Sequence, residues 1–272
     1  MSSLLRRTVL VAMLAGVPAV GPAHAAGTVT LTLVSDMLSI VGDGASNAVT
    51  ITGTGIDGEF VVTGDTGTLV DGTASVLVGG VQQLQIEPGD GADDVTLSQV
   101  TVPGKVKVLL GDGDDDLIIS QCRLEGRLVV RGGRGSDVVI VEKRTRVGGR
   151  TNIQTQQGTD TVVIDDTDVD GNLTVSSGGG YDRIEVYDVR ANGSAKLQLY
   201  AGDGEDTVRI VGTTVGGDTT VSLGSQDDLL VLADSVFYED AHFDGNDGDN
   251  HVVLGEFIGF DDDEDIDFSD FD

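Results

Sequence analysis

Apolar residues along this chain alternate with polar ones in short runs, and a cluster of glycine and aspartate closes nearly every run. Val95/Leu97, Leu117/Ile119, Val138/Ile140, Val162/Ile164, Ile184/Val186, Val208/Ile210, Leu229/Val231 and Val252/Leu254 each sit two residues apart. That is the period of a strand with one buried face. A second set follows a glycine: Val106/Val108, Leu128/Val130, Thr151/Ile153, Leu173/Val175, Ala195/Leu197 and Thr219/Val221. One more inward position precedes that glycine, at Val102, Leu124, Val147, Val169, Ala191 and Val215. No window keeps apolar residues at three- and four-residue spacing, and glycine interrupts every stretch long enough for a helix. The pattern predicts an all-β chain of short strands.

The runs recur with a fixed beat. The apolar residue after each Gly/Asp cluster falls at Val95, Leu117, Val138, Val162, Ile184, Val208, Leu229 and Val252, with intervals of 21 to 24 residues. Gly104, Gly126, Gly149, Gly171, Gly193 and Gly217 keep the same period. A unit of two strands and a shorter third cannot bury its apolar face alone, whereas stacked copies share one core. The prediction is a single-stranded parallel β-solenoid, about eight coils of ~22 residues over 89–258, forming a rod roughly 40 Å long. Right-handed winding follows from the handedness of parallel crossovers. Residues 26–88 lack the beat, although Val49/Ile51 after Gly42-Asp43-Gly44 resembles a worn copy. Asp57-Gly58 and Asp71-Gly72 predict hairpin turns there. This segment is expected to be an N-terminal β cap over a strand edge that would otherwise template aggregation.

The two ends read differently. Residues 1–25 carry Arg6 and Arg7, an apolar stretch from Thr8 to Val20 and the small-x-small sequence Ala23-His24-Ala25, which together predict a secretory signal peptide. Cleavage before Ala26 would take the net charge from −30 to −32, since both arginines leave. No later stretch is apolar enough to span a bilayer, so the expected destination is the cell surface, the medium or the periplasm. Residues 259–272 form an acidic tail, read either as a solvated segment or as an edge guard whose Phe268 and Phe271 pack on the last coil. Cys122 is the single cysteine, so no intrachain disulfide staples the fold.

Composition sharpens this picture at the turns. Of 46 acidic residues 37 are Asp, against 16 Lys and Arg, and Asp suits turns and metal sites where Glu suits helices. A pI near 4.1 argues against nucleic acid as a partner. The clearest turns are Gly89-Asp-Gly-Ala-Asp-Asp-Val95, Gly111-Asp-Gly-Asp-Asp-Asp-Leu117, Gly178-Gly-Gly-Tyr-Asp-Arg-Ile184 and Gly202-Asp-Gly-Glu-Asp-Thr-Val208. The fifth position runs Asp93, Asp115, Ser136, Asp160, Asp182, Asp206, Asp227, Asn250; the second runs Asp90, Asp112, Gly133, Gln157, Gly179, Asp203, Gly224, Asp247. Stacked carboxylates about 5 Å apart repel by roughly 1 kcal/mol in water and more when partly buried. Either calcium, a cation of six to eight oxygen ligands, or backbone N–H groups capped by Asp must offset this.

The motif G-x-G-x-D-x-hydrophobic in those four turns resembles the calcium-binding nonapeptide of hemolysin-type repeat proteins. The resemblance spans residues 89–252 and implies Ca²⁺ shared through carboxylates and backbone carbonyls. The matching positions are Asp90, Asp93, Asp112, Asp115, Asp160, Asp182, Asp203, Asp206, Asp227 and Asp247. That family repeats every nine residues, whereas one such turn occurs here per ~22. The coil length is instead similar to the right-handed β-helices of secreted polysaccharide-degrading enzymes and surface proteins.

Cations cluster. Eight of the fourteen Lys and Arg residues after residue 25 lie between Arg123 and Arg150. Lys105, Arg127 and Arg150 each follow the second glycine and are expected to stack on consecutive coils, as are Arg123 and Arg144. They read as a solvated face balancing nearby Asp, or as a stripe for an acidic polysaccharide or cell-surface matrix. Beyond residue 25 only His242, His251 and Cys122 are available for nucleophilic catalysis, which disfavours it. The leading expectation is a secreted or cell-surface, calcium-binding β-solenoid of structural or adhesive role. The alternative is a calcium-dependent polysaccharide lyase or hydrolase using a base such as Arg127 or Arg150.

Overall fold

The computed structural model describes residues 12–13, 27–256, 258–260 and 266–271. Apart from Ala12–Met13, the predicted signal segment lies outside the described residues, as do residues 261–265 of the acidic end.

The described chain is all strand and turn, wound into eight stacked coils with no helix. One coil is typical. Asp116–Ser120 lies in a first sheet, Arg123–Leu124 in a short second sheet and Leu128–Arg134 in a third. Each strand pairs in parallel with its equivalent one coil away, so Leu117 faces Val139, Leu124 faces Val147 and Leu128 faces Thr151. The three sheets enclose one dry column. Val95, Leu117, Val139, Val162, Ile184 and Val208 stack inward along the first sheet and are buried.

Two coils differ from the sequence expectation by one residue. Val138/Ile140 and Leu229/Val231 face outward, and their neighbours Val139/Val141 and Leu230/Leu232 face the core. Val138–Val141 and Leu229–Leu232 are apolar at every position, so alternation alone cannot say which set is inside. Pairing to adjacent coils decides it. The coil containing Asn192–Lys196 is also longer, and Leu197/Leu199, not Ala195/Leu197, lie over Leu173/Val175.

The N-terminal region joins the solenoid and closes its end. Met37–Val41 pairs in parallel with Gln83–Glu87, and Ala48–Gly53 with Asp94–Ser98, placing Val49 on Val95 and Ile51 on Leu97. Antiparallel neighbours then cover both sheets: Thr28–Val34 on Met37–Val41, Phe60–Asp65 on Ala48–Gly53, and Ser75–Val78 on Phe60–Asp65. Gly58 and the pair Asp71-Gly72 hold positive φ at the expected turns. A further hairpin turns at Ser35-Asp36, with φ of 49° and 67°. At the other end Ile266–Ser269 pairs with the strand Ala241–Asp247. Phe268 stacks on Phe243 at 4.8 Å, and Phe271 meets Phe268 edge-on at 6.2 Å.

Glycine is required where corner backbones touch. Gly111 and Gly113 adopt φ of 126° and 146°, and a Cβ on either would fall 1.7 Å from the carbonyl oxygen of Gly89 or Gly91 one coil away.

Two substitutions test the architecture. Leu173→Asp should cost on the order of 4 kcal/mol or more, because it places an unpaired charge in a fully enclosed column. Gly113→Ala should destabilise by about 2 kcal/mol or more, combining strained φ with a backbone clash. Denaturant unfolding checks both, and an unchanged midpoint for Leu173→Asp would contradict its inward placement.

Candidate functional site: a buried aspartate ladder

The corner between the third and first sheets holds the Gly/Asp turn of every coil. Here the chain leaves one strand pairing before it enters the next, and the N–H of the buried turn residue in every coil lacks a strand partner. An Asp side chain supplies it. Asn47 N–H donates to Asp93 Oδ1 at 2.6 Å, Asp93 to Asp115 at 2.8 Å, and Asp115 to Asp137 at 3.2 Å. The chain continues through Asp137 to Asp160 (2.8 Å), Asp160 to Asp182 (2.8 Å) and Asp182 to Asp206 (2.7 Å). It ends with Asp206 to Asp228 (2.6 Å) and Asp228 to the Asn250 amide oxygen (2.9 Å). The peptide carbonyls are used as well: Asp93 accepts from Asp116, Asp115 from Val138 and Asp137 from Thr161. Seven carboxyl groups thus run in one file between two amides.

Each carboxyl has one satisfied and one orphaned oxygen. The Oδ2 atoms of Asp93, Asp115, Asp137, Asp160, Asp182, Asp206 and Asp228 are buried without a hydrogen-bond partner. They point to the core side of the corner: Asp137 Oδ2 lies 2.1 Å from where a Cβ of Gly132 would stand, and Gly132 is itself buried on the third sheet. A charged carboxylate there is expensive. Burial is the largest influence on every member. It pushes Asp93, Asp115, Asp182 and Asp228 up to about 6 and Asp137 and Asp206 to about 7, and it raises Asp160 as well. The donated backbone N–H opposes this rise, while neighbouring carboxylates add to it at every member but Asp160. Burial therefore favours the uncharged form along the whole file.

This geometry decides among the expected site residues. Asp93, Asp115, Asp160, Asp182 and Asp206 belong to the ladder. Asp137 and Asp228 replace the expected Ser136 and Asp227, by the same one-residue register found in the following strands. Asp227 is exposed, and its Oδ1 accepts the Asp249 N–H at 2.9 Å. Asp90, Asp112, Asp203 and Asp247 form a separate, exposed row. In that row Arg134, not Gly133, follows Asp112, and Ser225, not Gly224, follows Asp203. The ladder's first member, Asn47, carries no Asp signature and was found only by its hydrogen bond to Asp93.

The ladder does not fit the calcium role that the resemblance implies. Calcium takes six to eight oxygens, but each Oδ1 is engaged by backbone and each Oδ2 is turned inward. Among the described residues no group of three or more His, Cys, Asp or Glu is placed to hold a metal ion.

The basic residues lie elsewhere. Lys105, Arg127 and Arg150 do stack: their carbonyls accept the N–H groups of Leu84, Val106 and Leu128 on successive coils. Burial, then the charges of Arg127 and Lys107, lowers the Lys105 ammonium. Arg123, however, pairs with Arg146 rather than Arg144. Lys143 and Arg144 occupy a left-handed turn, with φ of 55° and 62°, that takes up one extra residue. Arg146 in turn bonds Asp170 at 2.7 Å. Burial pushes the Cys122 thiol up to about 11, so it stays protonated. His251 is exposed, and His242 lies 3.8 Å from Asp244 and 3.1 Å from Asp267.

A raised carboxyl pKa means that the folded chain holds protons the unfolded chain has released. The ladder's stabilisation is therefore complete below about pH 4 and is lost as pH rises through 6 to 7. At constant ionic strength the melting temperature should fall between pH 4 and 8, the reverse of ordinary acid denaturation. Asp137→Asn keeps the Oδ1 acceptor and removes the ionisation. It should melt a few degrees above the parent at pH 8 and show a shallower pH slope. A parent whose stability rises steadily over this range would show the ladder to be ionised in the fold.

Compared with known proteins, the chain matches no family model, no curated sequence and no solved structure.

Proposed function

We propose that this solenoid is a structural or adhesive scaffold of a secreted or cell-surface kind. The supporting observation is that the buried acids, the outer acidic row and the stripe Lys105–Arg127–Arg150 lie on separate parts of the coil, and that the stripe does not converge on a set of acids. The acids that repeat most faithfully are buried as backbone caps. The outer acidic row and the stripe Lys105–Arg127–Arg150 occupy different parts of the coil. Arg127 and Arg150 form no ion pair among the described residues, whereas a lyase or hydrolase needs its base beside carboxylates that hold substrate. The surface hollows are shallow, from about 240 to 360 Å³, and are scattered: one beside Arg131 and Gln154, another beside Tyr181 and Gln226.

Two ligands follow from the two exposed rows. Acidic polysaccharide suits the cationic stripe, where Arg presents its guanidinium to carboxylate or sulfate. Calcium suits the outer acids, chiefly the pair Asp90 and Asp112 on adjacent coils, as a low-affinity ion and not a resident one.

Retention on an immobilised sulfated or uronic-acid polysaccharide, with and without Ca²⁺, tests this. The parent should bind at low salt and release no soluble sugar, and the triple variant K105A/R127A/R150A should elute earlier. Calcium should raise the melting temperature beyond NaCl of equal ionic strength, and D90N/D112N should lose that excess while D93N/D115N keeps it. Sugar release by the parent would replace the scaffold by the enzyme reading, and identical shifts with NaCl would remove calcium.

A further inference from the structure

The outer faces of the two large sheets differ in character. The third sheet presents Asn152, Thr174, Gln198 and Thr220 in one outward column, as a solvated sheet face should. The central outward column of the first sheet reads Ile118, Ile140, Val163, Glu185, Arg209, Val231 and Val253 on seven consecutive coils. Val138 and Leu229 flank it on the same face. Ile118, Ile140 and Val163 on one side and Val231 on the other are half-buried and Val253 is exposed, so on a protein of net charge −30 two short apolar patches meet water with no return inside the monomer.

The order of that column is self-complementary. Two apolar strips flank one acid and one base on adjacent coils. Glu185 is almost buried, held by Arg183 Nε at 2.6 Å and the Tyr187 hydroxyl at 2.9 Å. Arg209 Nε lies 3.6 Å from Glu185, beyond hydrogen-bond reach, and is buried without another partner.

We propose that this face is an interface between two copies of the chain, laid side by side about a two-fold axis running along the strands between Glu185 and Arg209. The rotation reverses the coil order. Glu185 then opposes the second copy's Arg209, Val163 opposes its Val231, and Ile140 opposes its Val253. No like charges meet at the centre: Arg183 faces Thr207, and Asp165 faces Ala233. A parallel arrangement would set Glu185 on Glu185 and Arg209 on Arg209, which costs several kcal/mol. The axis matches six coils, which at about 4.8 Å apart and with strands of five residues at about 3.3 Å give a face near 29 by 16 Å. That is roughly 460 Å² in projection, short of the ~800 Å² per partner of a standard interface until side-chain relief is added, and it suits a modest, reversible dimer. Long-range repulsion between two acidic rods opposes association, so salt should strengthen it.

This inference goes beyond the scaffold role and needs neither calcium nor polysaccharide. Sedimentation velocity of the purified chain in about 0.3 M NaCl, where charges beyond ~6 Å are screened, should show a concentration-dependent dimer. E185R and R209E should each weaken it about tenfold or more, one such factor being ~1.4 kcal/mol, and the double variant E185R/R209E should restore it. Ile140→Lys disturbs no internal pair, and it should leave melting unchanged while removing the dimer. Oxidising a mixture of I140C and V253C chains should link the unlike pair, with little I140C homodimer. A monomer at every concentration and salt, a dimer that survives I140K, or dominant I140C self-linkage would overturn the proposal.

Discussion

Parallel in-register stacking sets each position of the repeat against its equivalent on the next coil, about 4.8 Å away, for the length of the rod. Apolar residues gain from this arrangement, and Val, Ile and Leu fill the enclosed column. Charged residues do not. Whatever acid the repeat carries at a buried corner is placed beside the same acid above and below, and the fold must remove that repulsion or abandon the residue. The ladder from Asp93 to Asp228 removes it twice: each Oδ1 takes a backbone N–H of the preceding coil, and burial favours the uncharged form. The same hydrogen bond satisfies a peptide group stranded at the corner. The acid is thus kept for its shape and acceptor oxygen more than for its charge.

The remaining features divide according to whether they meet this constraint. Outside the corner, acids stand on exposed positions where water screens them, as at Asp90, Asp112 and Asp203. Where basic residues stack, Arg127 and Arg150 are exposed and Lys105 is half-buried. Glu185 is the exception: an acid on an outward sheet face that is nevertheless buried, under two arginines and a tyrosine. A local departure from the repeat is more informative about partners than any feature the repeat itself demands.

Much of this was readable from the residue order. Period, strand count, the inward column at Val95, Leu117, Val162, Ile184 and Val208, and the hairpin turns at Asp57-Gly58 and Asp71-Gly72 all rest on local patterns with a direct physical cause. Most of the failures were errors of phase by one residue, and two, at Ala195/Leu197 and Arg144, were errors by two. Val138–Val141 and Leu229–Leu232 are apolar throughout, and Ser136-Asp137 and Asp227-Asp228 offer two candidates for one corner, so only contact with neighbouring coils selects the register. The Ser35-Asp36 hairpin lacks the glycine that marks such turns. The fate of the ladder's second oxygen was also invisible, since a motif specifies which residue occupies a turn but not which way its carboxyl points.

The file of acids begins and ends with an amide, Asn47 and Asn250. An amide offers the same acceptor oxygen but cannot ionise, so the two terminal members contribute nothing to proton uptake. Only the interior coils do. Rods of this design grow by duplicating a ~22-residue unit, and every duplicated interior unit would insert one more ionisable acid between the same neutral ends. Length and acid dependence are therefore coupled: a longer descendant would bind more protons on folding, and its stability would fall more steeply as the medium turned alkaline. An organism living in alkaline surroundings could escape that coupling only by spreading asparagine inward from the ends.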